Sequence, residues 1–211
     1  MRTDDLIADL ALSPSSLSRP SMRVAGAMLA GWIVAMLGLV LVLGPPLSAV
    51  PATGMLPFAV KTGFALAFTA ASLFAALAAG RPGQKIAWRA ALIAAPFAAL
   101  LALAALELNS TPRDSWPNLF LGTTYMPCMM AIALGSIPVL IATLWAYREM
   151  APTRPAVAGM LAGLSSGAAA AVAYALYCPE TTATFLLAAY TPAAFIPAIV
   201  GALLGPRLLR W

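Results

Sequence analysis

Six long apolar runs, separated by short polar connections, organise this 211-residue chain. They cover residues 24–43, 62–79, 86–106, 126–147, 156–177 and 184–204. Each approaches the ~20 residues that a helix needs to cross a bilayer. The runs are continuous rather than alternating, which argues against the strands of a barrel. None carries a charge in its middle. The pattern predicts an all-α integral membrane protein with six transmembrane helices. Residues 1–20 read as a tail and residues 21–211 as the transmembrane domain. The connection at 107–125 is too short for a soluble domain.

Composition agrees: the chain is 62% hydrophobic and 9% charged, against roughly 25% charged in soluble domains. The first run is longer than a signal-peptide core and follows an acidic stretch, so it reads as a retained helix. Charge then orients the bundle. Arg2, Arg19, Arg23, Arg81, Lys85, Arg89, Arg148, Arg154, Arg207 and Arg210 fall in the tails and in the second and fourth connections. Only Lys61 and Arg113 fall on the other side. The positive-inside rule places both termini in the cytoplasm. The net charge of +5 follows from this asymmetry, so the lipid bilayer is an expected partner and direct nucleic-acid binding is not.

The chain contains no histidine. That removes Ser-His-Asp and Cys-His catalysis, His-ligated zinc and imidazole pH switching. No acid or base sits at mid-membrane depth to mark a proton or ion path. Lys61, Arg89 and Glu107 lie at run ends, where snorkelling to the interface is expected. No phosphate-cradling glycine pattern is present. An enzyme is not expected, nor a resident cofactor. Gly159, Gly163 and Gly167 recur every four residues and mark a helix-packing face. Pro96, Pro138, Pro192 and Pro197 are expected to kink or locally unwind their helices.

The predicted topology gives the two cysteines meaning. Cys128 falls in the first turn of the fourth run and Cys178 at the end of the fifth, so both lie at the extracytoplasmic edge at similar depth. The short link between these helices makes them neighbours. In an oxidising compartment the pair can cycle between dithiol and disulfide, take a transient soft metal ion as thiolates, or form a merely structural bridge. Met126, Met129 and Met130 beside Cys128 read as gap-filling side chains.

The tail opens Met1-Arg2-Thr3-Asp4-Asp5-Leu6-Ile7-Ala8-Asp9-Leu10. Thr3 suits a helix N-cap, and Asp4 and Asp5 suit the positive end of the helix dipole. At helical spacing Leu6, Ile7 and Leu10 share one face, with Asp5 and Asp9 opposite. An interfacial anchor carries Lys or Arg on its polar face; this segment carries Asp. Folding on a protein partner, with the apolar face in a groove, is one expectation, and a tail with chance amphipathicity is the other. Ser13-Pro14-Ser15-Ser16 and Arg19-Pro20 read as linker.

These pieces resemble the NrsF-type membrane anti-sigma factors of Gram-negative bacteria. The resemblance rests on the acidic opening, Pro127-Cys128, Cys178-Pro179-Glu180, and the ending Leu208-Leu209-Arg210-Trp211. It implies a six-helix inner-membrane protein that restrains an extracytoplasmic-function sigma factor. It implies that the tail, through Asp4, Asp5, Leu6, Ile7, Asp9 and Leu10, holds that partner. It also implies that Cys128 and Cys178 sense stress such as heavy-metal ions or oxidants. Where family members often carry His before the second cysteine, this chain carries Tyr177, so imidazole cannot tune that thiol. The competing readings are a small transporter or efflux component, and a structural membrane subunit.

Overall fold

The computed structural model describes residues 20–46, 54–81, 84, 86–150 and 152–209. Within them every regular element is helical. In chain order these are α1 (Pro20–Leu43), α2 (Met55–Ala79), α3 (Ala87–Ala91), α4 (Ala94–Ser110), α5 (Trp116–Leu121), α6 (Tyr125–Tyr147), α7 (Pro155–Ala175), α8 (Ala183–Phe185) and α9 (Thr191–Leu208). A π turn, Leu186–Tyr190, joins α8 to α9, and α3 runs into α4 through Leu92 and Ile93. Six helical runs are therefore long and apolar enough to cross a membrane.

α7 lies at the centre. It is built almost wholly of Ala, Gly, Ser and Leu, and most of its length is buried on all sides. Small side chains let four neighbours approach, and α9 packs against it most extensively. A Cβ built on Gly159 would stand 2.1 Å from the Gly201 carbonyl oxygen, one on Gly163 2.0 Å from that of Pro197, and one on Gly167 2.5 Å from that of Ala194. The two backbones touch with no side chain between them, the contact that van der Waals packing in lipid favours. Ser165 and Ser166 return their hydroxyls to the Ala162 carbonyl, at 2.9 and 2.7 Å, so no buried hydroxyl there is left unpaired.

Larger side chains fill the outer helices and point away from the core. Leu41 is 86% exposed, Val42 82% and Trp145 74%. A soluble monomer does not show so continuous an apolar surface; it is compatible with lipid as the solvent. Prolines act locally. α6 continues through Pro138, whereas Pro192 sits in the first turn of α9, just after the π turn. There the normal helical hydrogen-bond ladder widens by one residue.

Candidate functional site

One end of the bundle gathers the ends of α1, α4 and α7 and the starts of α2, α6 and α8. Cys128 sits one turn into α6, its N–H donating to the Thr124 carbonyl at 2.9 Å. Cys178 follows α7 by three residues, its N–H donating to the Tyr174 carbonyl at 3.1 Å. The two Sγ atoms are 3.2 Å apart. Both thiols are free and fully buried. The Cys128 thiol also lies 3.4 Å from the Thr124 hydroxyl, to which it donates. Tyr174 and Tyr190 wall the pair within the same apolar cluster. The Tyr190 hydroxyl is buried without a hydrogen-bond partner among the described residues.

Beneath the pair lies Lys61. Its position corrects the snorkelling expectation. α2 begins at Met55 rather than at residue 62, so Lys61 falls inside the helix, and it is 0% exposed. Its ammonium donates to the carbonyl of Cys178 at 2.5 Å and to that of Glu180 at 3.2 Å. A buried cation is tolerated only when its protons find partners, and here both partners come from residues 178–180. Hydropathy marked Lys61 as a run end. Its distance along the chain from Cys178 hid the contact.

Two carboxylates complete the frame. Glu107, also expected to snorkel, instead caps α8. Its oxygens accept from Ala183 N–H at 2.8 Å, Thr184 N–H at 3.0 Å and the Thr184 hydroxyl at 2.9 Å. A carboxylate there meets the unpaired donors of a helix start. Glu180 accepts from Thr123 N–H at 2.9 Å and the Thr123 hydroxyl at 3.0 Å. Lys61, residues 178–180, and Thr123 and Thr124 thus link α2, the end of α7 and the start of α6 around the thiols.

Electrostatics single out one sulfur. Cys178 is in hydrogen-bond contact with the Cys128 thiol and lies beside the Lys61 ammonium, and together these hold its pKa below the ordinary thiol value. A thiol so placed reacts more readily than an isolated buried one. Among the described residues no group of three or more His, Cys, Asp or Glu can hold a metal ion. The donor set is two thiols, enough for a disulfide or for a two-coordinate thiophilic ion. Met126 and Met130 point outward, 67% and 61% exposed, and add no ligand.

Of the other predicted residues, Gly159, Gly163 and Gly167 lie on the α7–α9 seam, remote from the thiols. Asp4, Asp5, Leu6, Ile7, Asp9 and Leu10 lie outside the described residues.

Comparison with known proteins adds an independent line. A family model described as negative regulator of sigma F, NrsF, matches residues 9–211. The chain is 41% identical to a probable anti-sigma-F factor NrsF of Azospira oryzae over 215 residues, covering 100% of both chains. It is 36% identical to an anti-sigma-F factor NrsF of Caulobacter vibrioides over 217 residues, again covering 100% of both. No solved structure matches.

Proposed function

We propose that this chain, which belongs to the NrsF family of negative regulators of sigma F, restrains an extracytoplasmic-function sigma factor at the bacterial inner membrane. Six helices span the bilayer, with both termini in the cytoplasm and the thiol end facing the periplasm. The tail holds the partner through Leu6, Ile7 and Leu10 in a groove, with Asp4, Asp5 and Asp9 against basic residues. The Cys128/Cys178 pair senses oxidative or soft-metal stress, and its change of state leads to release. The observation that carries the sensing half is the 3.2 Å contact of two buried thiols that are 50 residues apart in the chain.

Energetically the switch needs only that the two thiol states favour different bundle packings by a few kcal/mol. The region is suited to such a difference. A bridge would draw the sulfurs about 1 Å closer. That pull acts on residues 178–180, which Lys61 and Glu180 tie to α2 and to the start of α6.

Serine substitution tests this. Cys128→Ser and Cys178→Ser keep side-chain size but can neither bridge nor bind a soft ion as thiolate. Each single variant and the double variant are expected to lose induction to the same extent, because one missing thiol already removes the unit. Sigma-dependent reporter output, with and without a thiol oxidant or cadmium, measures it. Normal induction in the double variant would reduce the cysteines to packing residues.

The tail carries its own test. Leu6→Asp with Leu10→Asp places charge on the proposed groove face, where an unpaired buried charge is costly. Co-purification of the sigma factor with membranes should fall at least tenfold, with insertion of the bundle unchanged. Undiminished co-purification would rule out the helix-in-groove contact.

A further inference from the structure

The opposite end of the bundle carries a second polar site. Arg81, Gln84, Ile86, Trp88, Thr153 and Arg154 line a cleft of about 580 Å³. One wall is stiff, since Arg89 stacks over Phe74 and Trp88 at 5.0 and 5.1 Å, and the two rings meet edge to face. Trp88 nevertheless leaves 52% of its surface open. The cleft therefore offers two guanidinium groups, two neutral hydrogen-bonding side chains and an aromatic face. Among the described residues the one ion pair is Arg23 with Glu149, so neither cleft arginine meets an acid there.

That ion pair also fixes the start of α1. Arg23 lies in the first turn of α1 and Glu149 in the connection from α6 to α7, the same connection that supplies Thr153 and Arg154. The start of α1 is thus held to the connection that forms part of the cleft wall. Ten Cα-to-Cα steps lead from Leu10 to Pro20, and an extended linker of that length reaches up to about 33–36 Å. The tail brings Asp4, Asp5 and Asp9 with Leu6, Ile7 and Leu10, negative charges that complement the cleft's arginines and apolar groups that match its Ile86 and Trp88.

We propose that the cleft is a docking site for this chain's own tail, residues 4–10, with the aspartates on Arg81 and Arg154 and the leucines against Trp88 and Ile86. Exposed ion pairs are individually weak. A tethered segment binds intramolecularly, however, at an effective concentration in the millimolar range for a short flexible linker, so weak contacts suffice. Under the function proposed above, on which this consequence rests, the cleft and the sigma factor compete for the same residues. Capture of the tail by the bundle is then the step that expels the partner.

Photocrosslinking of the full chain in zwitterionic lipid vesicles tests the docking. With Ala8 replaced by a benzophenone-bearing amino acid, irradiation should join the tail to residues 84–88 or 152–154 of the same chain. Arg81→Glu with Arg154→Glu should cut the yield about tenfold, equivalent to about 1.4 kcal/mol. Adding Asp4→Arg, Asp5→Arg and Asp9→Arg should restore it, which a misfolded bundle could not do. Arg154→Ala, a milder change on an exposed connection, should cut it about threefold. A yield unmoved by these charges overturns the proposal. So do crosslinks found on lipid, or on a second, isotope-labelled chain instead of the same one. Purified sigma factor added in excess should suppress the crosslink. Persistence of the crosslink beside saturating sigma factor would refute the tail's role as the sigma-binding element while leaving the docking intact.

Discussion

Gly163→Val is expected to unfold or separate the centre of the bundle. A Cβ at this position would stand 2.0 Å from the Pro197 carbonyl oxygen, 2.5 Å from its carbon and 2.7 Å from the Ala198 Cα. All three are backbone atoms of α9, so no side chain can rotate away. The helices must part by more than an ångström along a seam where Gly159 and Gly167 make similar contacts. Overpacking of this kind costs about 3 kcal/mol or more when the neighbours cannot yield. Gly26→Ala provides the contrast. Nothing lies within 4 Å of a Cβ there, and alanine in a helix interior is favoured over glycine by about 0.5–1 kcal/mol. Unfolding of the purified protein in detergent should therefore move in opposite directions for the two variants. Equal stabilities would mean that the α7–α9 backbones are not in contact.

Lys61→Met should produce the second large effect. Methionine matches the length and removes only the ammonium and its two bonds to the Cys178 and Glu180 carbonyls. Hydrogen bonds from a charged donor contribute about 1.5–3 kcal/mol each, offset by relief from burying a cation, so a net loss of about 2–4 kcal/mol is expected. The local consequence is sharper than the global one. Residues 178–180 lose their tie to α2, so oxidant-driven bridging of Cys128 to Cys178 should slow several-fold. Lys61→Arg, which keeps charge and donors, should recover part of both. Mass spectrometry of trapped disulfide and a thermal melt measure the two effects. Wild-type bridging and melting in Lys61→Met would show that the buried ammonium is dispensable.

The helical architecture was largely legible, because each run must present apolar residues all round to face either lipid or neighbours. Where hydropathy stopped, so did the reading. Lys61 cut the second run at residue 62, though the helix begins at Met55; a local window cannot know that two carbonyls more than a hundred residues away will accept its protons. Glu107 read as an interfacial acid for the same reason, since the α8 donors it caps lie 76 and 77 residues further on. The short helix α5 and the π turn carry no distinctive local signal. For the thiols, counting spans gave shared depth. Their separation depended on how α7 rotates against α6, which periodicity alone does not specify.

The bare seam between α7 and α9 has a mechanical consequence. Helices that meet through interdigitated side chains can ratchet, because rotamers offer alternative notches. Backbones in direct contact offer none, so any sliding or rotation lifts one helix off the other. α7 and α9 therefore behave as a single rigid axle, and displacement that starts at the thiol end must travel along the helices hung around it. α2 is the best-placed lever. It is gripped at the thiol end by Lys61, and at its far end it delivers Gly80 against Tyr147 and Met150 and Arg81 to the rim of the cleft.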